Sequence, residues 1–104
     1  MYVDISSNFI ETSIEFIRCI HLFGGGFHEW YVGLTRDSKQ SFLNIHQVDL
    51  LEKHWILSNE SSDVLILYAR KFLVSLGCQN NRSLDMENAN RVYLYQIGQN
   101  TREI

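Results

Sequence analysis

The chain has 104 residues, 45% of them hydrophobic and 20% charged, with a formal net charge of −3. That is one domain's worth of chain with enough apolar material for a single core, which excludes a disordered tail. It carries no basic excess, which disfavours recognition of nucleic acid through phosphate neutralisation.

Two cysteines, Cys19 and Cys78, are too few for a disulfide scaffold. Cys19 lies in an apolar helical pattern and reads as a buried thiol. Cys78 follows a helix end and reads as partly exposed, and a bond between the two stays open. The first residues show no basic stretch followed by an apolar run, so no leader is expected. The longest apolar run, residues 64–67, is far short of a membrane span. Cytoplasm is the expected location.

In chain order, residues 8–23 predict a helix. Ser6 or Ser7 offers an N-cap. Ile10, Ile14, Ile17, Ile20 and His21 keep the helical period, Phe9 and Phe16 widen the stripe, and Gly24, Gly25 and Gly26 end it. Residues 28–34 (HEWYVGL) are aromatic and β-branched and predict a strand. Asp37 or Ser38 can cap a short helix carrying Phe42, Leu43 and Ile45. A further short helical piece covers 48–52. Residues 54–57 (HWIL) predict a second strand. Ser61 or Ser62 caps a helix that runs to Leu76 and closes at Gly77. Residues 79–90 are polar and loop-like, and 91–97 (RVYLYQI) predict a last strand. The expected fold class is α/β: a small three-stranded sheet with all strands paired, covered by about three helices, in the order α-β-α-β-α-β.

Few motifs carry chemistry. The histidines at 21, 28, 46 and 54 have no metal-ligand spacing, and the cysteines form no CxxC, so no structural zinc is expected. The triple glycine follows a helix and precedes Phe27-His28, so it reads as a helix stop and not a phosphate cradle. No GxSxG or HExxH occurs.

One segment is more specific. Tyr31-Val32-Gly33-Leu34-Thr35, then Arg36-Asp37, then a short helix ending at His46, resembles the second half of the GIY-YIG nuclease core. In that family a strand ends in Tyr-Ile/Val-Gly and leads to a helix bearing an arginine, with a His or Tyr one turn further on. The chain is also similar to small bacterial proteins with a Trp-Tyr-Val-Gly-Ile-Thr strand, a His-Asn-Val segment, a helix ending in Leu-Gly-Cys and a final Val-Tyr-x-Tyr strand. The matching stretches are Trp30–Thr35, 46–48, 76–78 and 92–95. The family's first strand, bearing Gly-Ile-Tyr, has no counterpart before Trp30. The resemblance therefore implies a rearranged order, in which the strand 92–95 lies beside the Tyr31 strand and brings Tyr93 or Tyr95 near Tyr31.

The resemblance also implies roles. Phosphodiester cleavage by this route needs a tyrosine and metal to activate water, a carboxylate to hold the metal, an arginine against the phosphate, and a His or Tyr to move protons. Tyr31 fits the tyrosine. His46 fits the His/Tyr position one residue late. The arginine slot holds Gln40 or Ser41, with Lys39 and Arg36 earlier in the chain. The metal-ligand glutamate slot holds Arg70, a cation that repels a divalent metal, and Asp63 sits too far along the same helix to replace it. Candidate catalytic residues are thus Tyr31, His46 and Tyr93, with no metal ligand. Each also has a plainer role: Tyr31, Tyr93 and Tyr95 as packing residues, His46 as a helix cap or a surface residue, and Arg70 and Lys71 as a solvated helix edge.

The helix after the second strand is apolar around most of its girth, with Val64, Leu65, Ile66, Leu67, Tyr68, Phe72, Leu73, Val74 and Leu76. Such a helix is buried on more than one side. Either the N-terminal helix covers it or a partner does. The leading expectation is a non-catalytic binding domain on a GIY-YIG-like core. Its partner is another protein or a second copy, or nucleic acid through Arg36, Lys39 and Arg70. No cofactor is expected. The alternatives are a divergent endonuclease that uses Mg²⁺ and a carboxylate the sequence does not single out, and an unrelated small α/β protein.

Overall fold

A computed structural model describes residues 2–3, 9–36, 46–48, 54–58, 62–81 and 88–103. The elements are β1 (Tyr2–Val3), α1 (Phe9–Phe23), a 3₁₀ turn (Phe27–Glu29), β2 (Trp30–Thr35), β3 (Trp55–Ser58), α2 (Asp63–Ser75) and β4 (Arg91–Gln96). The fold is mixed α/β. Strands β2, β4 and β3 pair antiparallel, with β4 in the middle, and β1 adds two residues parallel to β3 at the far edge. The expected three strands therefore all pair, but the chain opens on a strand rather than a helix. The helix expected between β2 and β3 falls on 37–45, outside the described residues. Of it, only His46 is described, in helical conformation, and Gln47 follows in the left-handed region at φ 54°. Val48 is buried without regular structure, and the rest of the piece expected at 48–52 lies outside the described residues.

Strand β2 starts two residues later than its composition suggests. The Glu29 carboxylate accepts from the Gly26 N–H at 2.7 Å and closes residues 27–29 into a turn. This short-range contact outcompetes the β-propensity of His28 and its neighbours. Strand β3 likewise begins at Trp55 and not at His54.

Alternation along the strands gives the sheet two faces. Trp30, Val32, Leu34, Ile56, Val92 and Leu94 point to one, where they pack with Phe16, Cys19 and Ile20 of α1 and Ile66, Ala69 and Leu73 of α2. Tyr31, Leu57, Tyr93 and Tyr95 point to the other, with Val48. The buried stripe of α1 is rotated from the expected one. Phe16, Cys19 and Ile20 face the core, whereas Ile14 and His21 are exposed. Several faces of that helix are apolar, so the period alone does not choose among them.

Helix α2 begins at Ser62, whose hydroxyl accepts from the Leu65 N–H at 3.2 Å. It ends in a Schellman arrangement: Gly77 adopts φ 120°, its N–H reaches the Val74 carbonyl at 3.0 Å, and the Cys78 N–H reaches Leu73 at 3.2 Å. That turn drives Cys78 inward, so this thiol is buried and not partly exposed. The chain then runs along the outer edge of β2. The Gln79 N–H donates to Trp30 and the Val32 N–H to Gln79, at 2.8 and 2.9 Å, and the Asn80 side-chain amide donates to the Val32 carbonyl at 2.9 Å. A strand edge that would be open to pairing is thereby covered.

Both cysteines are free thiols in the helix-covered core. Burial raises both, Cys78 to about 12, so neither forms a thiolate near neutrality. We expect neither thiol to react with Ellman's reagent in the native protein and both to react at once in denaturant, as read by absorbance at both conditions.

Candidate functional site

The second sheet face gathers the residues that the sequence singles out. Tyr31 lies opposite Tyr95 in the β2–β4 register, and Gly33 lies opposite Tyr93. Gly33 is there for space: a Cβ at this position would overlap the Tyr93 ring. With no side chain in the way, that ring lies across β2 and its hydroxyl reaches His46 Nε2 at 2.8 Å. The Tyr31 ring stands 4.6 Å from the His46 ring, and the Tyr95 ring 4.8 Å from it. Tyr31 and Tyr95 stack at 5.2 Å. All four rings are buried, His46 and Tyr95 completely.

His46 is fixed from both sides. Its Nδ1 is 2.6 Å from the Arg102 carbonyl, which can only accept, so Nδ1 carries the proton. Nε2 then accepts from the Tyr93 hydroxyl. The Tyr95 hydroxyl is 3.0 Å from Nδ1, 3.2 Å from the Arg102 carbonyl and 3.1 Å from the Glu103 carboxylate. Its single proton is shared between the two oxygens, and it accepts from the imidazole. The Tyr31 hydroxyl accepts from the Asn81 N–H at 3.1 Å.

Burial lowers the proton affinity of His46, against smaller opposing effects of the Arg102 carbonyl and Glu103. Burial also holds the Tyr95 hydroxyl well above the ordinary phenol range, and the adjacent Glu103 carboxylate pushes it further. At neutral pH this is a neutral imidazole between neutral phenols. Tyr95 is a hydrogen-bond donor here and a poor source of phenolate.

Among the candidate residues, Tyr31, His46 and Tyr93 come together. Arg36 is exposed at the end of β2, and Lys39 lies outside the described residues, as do Gln40 and Ser41. Arg70 is buried on α2, whose core residues pack on the opposite sheet face from the tyrosines, so it is neither part of this cluster nor a solvated helix edge. It lines a groove with Leu67, Lys71, Val74 and Asn80. Sequence reasoning missed Glu103 and the Arg102 carbonyl. A carboxylate near a chain end, in a stretch without periodicity, gives no signal of its own. Among the described residues no group of three or more His, Cys, Asp or Glu side chains gathers that could hold a metal ion. No helix among them is long and apolar enough to cross a membrane.

No family model, no curated protein and no solved structure matches the chain.

Two expectations follow from the network. Gly33→Ala displaces the Tyr93 ring and costs about 1–3 kcal/mol of stability. Tyr93→Phe leaves His46 Nε2 buried without this donor and costs a similar ~1–3 kcal/mol. Both are read from the urea midpoint at constant slope.

Stability depends on pH through the same histidine. Folding lowers the proton affinity of His46, so the unfolded chain takes up a proton first as pH falls through the ordinary imidazole value of 6.5. The contribution is fully present above that pH and is lost as pH drops toward the folded value. We expect a lower Tm at pH 5.5 than at pH 7.5, and His46→Asn to remove most of that difference. An unchanged difference in the variant would assign it to other groups.

Proposed function

We propose that this chain is a non-catalytic interaction domain on a GIY-YIG-like sheet, and that it pairs with a second copy of itself through the outer face of α2. The observation that carries this reading is an exposed apolar stripe. Val64, Leu67, Tyr68, Phe72 and Leu76 are 57%, 45%, 52%, 38% and 37% exposed. Their spacing keeps one face of the helix along its whole length. Fully covering an exposed large apolar side chain is worth roughly 1.5–3 kcal/mol, and these five, each already about half covered, gain part of that on association. An identical helix presents the same stripe, and two-fold pairing is the commonest way for a chain to bury it.

The absence of chemistry in this reading is supported by the state of the ring cluster. Tyr31, His46, Tyr93 and Tyr95 hydrogen-bond within the chain and are shielded from water, and Arg70 stands on the far side of the sheet. The second reading, a divergent endonuclease, is favoured by one fact: Glu103 places a carboxylate on the cluster, 3.1 Å from the Tyr95 hydroxyl. In that case Glu103 would be the ligand for Mg²⁺, which would stabilise the leaving oxygen.

Light scattering after size exclusion tests the pairing. We expect a dimer for the wild type and a folded monomer for Leu67→Glu. A wild-type monomer up to about 100 μM, a concentration at which even a weak dimer forms, would remove the second-copy reading. Plasmid nicking with Mg²⁺ or Mn²⁺ tests the chemistry. We expect no cleavage beyond an EDTA control. Cleavage that needs the metal and disappears in Tyr31→Phe would establish the endonuclease instead.

A further inference from the structure

After Ile97 the chain leaves the sheet and doubles back across the tyrosine face. A tight turn sets its course: the Gly98 N–H donates to the Thr101 hydroxyl at 2.9 Å, and the hydroxyl returns to the Gly98 carbonyl at 3.0 Å. Residues 101–103 then have neither helix nor strand. They are held by a compact set of contacts of mixed polarity. The Arg102 N–H donates to the His46 carbonyl at 2.8 Å. The Arg102 carbonyl accepts from His46 Nδ1 at 2.6 Å and from Tyr95 at 3.2 Å. The Glu103 carboxylate accepts from Tyr95 at 3.1 Å. The Arg102 side chain itself is exposed.

This is how a protein reads a peptide: both main-chain groups of one residue are matched, and the next residue is selected by its side chain. We propose that the Tyr95–His46 face is a recognition site for a short peptide segment bearing a carboxylate, and that residues 98–103 are a displaceable strap occupying it in cis. The donor that meets the acid is a neutral hydroxyl, that of Tyr95, while the imidazole meets the preceding main-chain carbonyl. Such a donor suits a singly charged carboxylate, whereas a phosphate dianion calls for a cation in its place. The strap closes the site by main-chain and side-chain hydrogen bonds, which local opening can break without unfolding the sheet. As a tethered ligand it competes at high effective concentration, so an external peptide meets a mostly occupied site. Weakening the strap frees the site and raises the apparent affinity of that peptide.

The test uses the full chain and a fluorescein-labelled heptapeptide with the sequence of residues 98–104, followed by anisotropy. We expect Glu103→Ala protein to bind it at least ~5-fold more tightly than wild type, because the tethered competitor is weakened. The same peptide with Gln for Glu should bind that variant at least ~5-fold more weakly. Equal binding to both chains, equal binding of both peptides, or no binding to the variant overturns the proposal. Hydrogen exchange on the wild type is an independent check that needs no variant. The Arg102 amide should exchange at least ~10-fold faster than the amides of β4. Exchange of Arg102 only together with β4 would make the segment a fixed part of the core and end the strap reading.

Discussion

The register of β2 against β4 puts Gly33 under the ring of Tyr93, and much of the second sheet face depends on that contact. Because Gly33 has no Cβ, the phenol can lie across the neighbouring strand and reach the imidazole of His46. The Tyr93 hydroxyl then satisfies Nε2, which leaves the proton on Nδ1 and aims it at the Arg102 carbonyl. That carbonyl and the Glu103 carboxylate bring the last described residues down onto Tyr95. A single missing methyl group thus links the central sheet to the course of the chain after it, through five polar groups that each have a partner.

The two faces of the sheet solve burial differently. On one, two helices supply hydrocarbon against Trp30, Val32, Ile56 and Leu94, the usual arrangement for a small mixed fold. On the other, the apolar work is done by aromatic rings whose polar ends must also be satisfied. Rings 4.6 to 5.2 Å apart, Tyr31 and Tyr95 stacked and His46 tilted against both, exclude water while their polar atoms find partners. This arrangement makes the second face specific in geometry and sensitive to the protonation of one histidine.

Helix α2 connects the fold to its surroundings. Its inner residues Ile66, Ala69 and Leu73 complete the helix-covered core, and α1 packs beside it. This leaves the stripe from Val64 to Leu76 facing outward. The packing of α2 on the sheet and α1 leaves these side chains 37–57% exposed, a hydrophobic ridge that runs beside a basic residue, Lys71.

The amino-acid sequence by itself determined the identity of the main elements. A helix ahead of three glycines, an aromatic strand at Tyr31, a helix from Ser62 to Gly77 and a final strand at Val92 all follow from period, caps and β-branched content, which act over a few residues. The resemblance of the segment around Tyr31, and not these local rules, singled out Tyr31, His46 and Tyr93, and the local rules could not choose the buried stripe of α1. Nor could they find the edge strand Tyr2–Val3, because two residues pairing with a distant strand leave no periodic trace. Only the tertiary structure decided that Arg70 lies on the far side of the sheet from the tyrosines, that Cys78 turns inward, and that Glu103 meets Tyr95. Those outcomes depend on which face a strand or turn presents and on how elements pack together, which composition and period over a few residues do not specify.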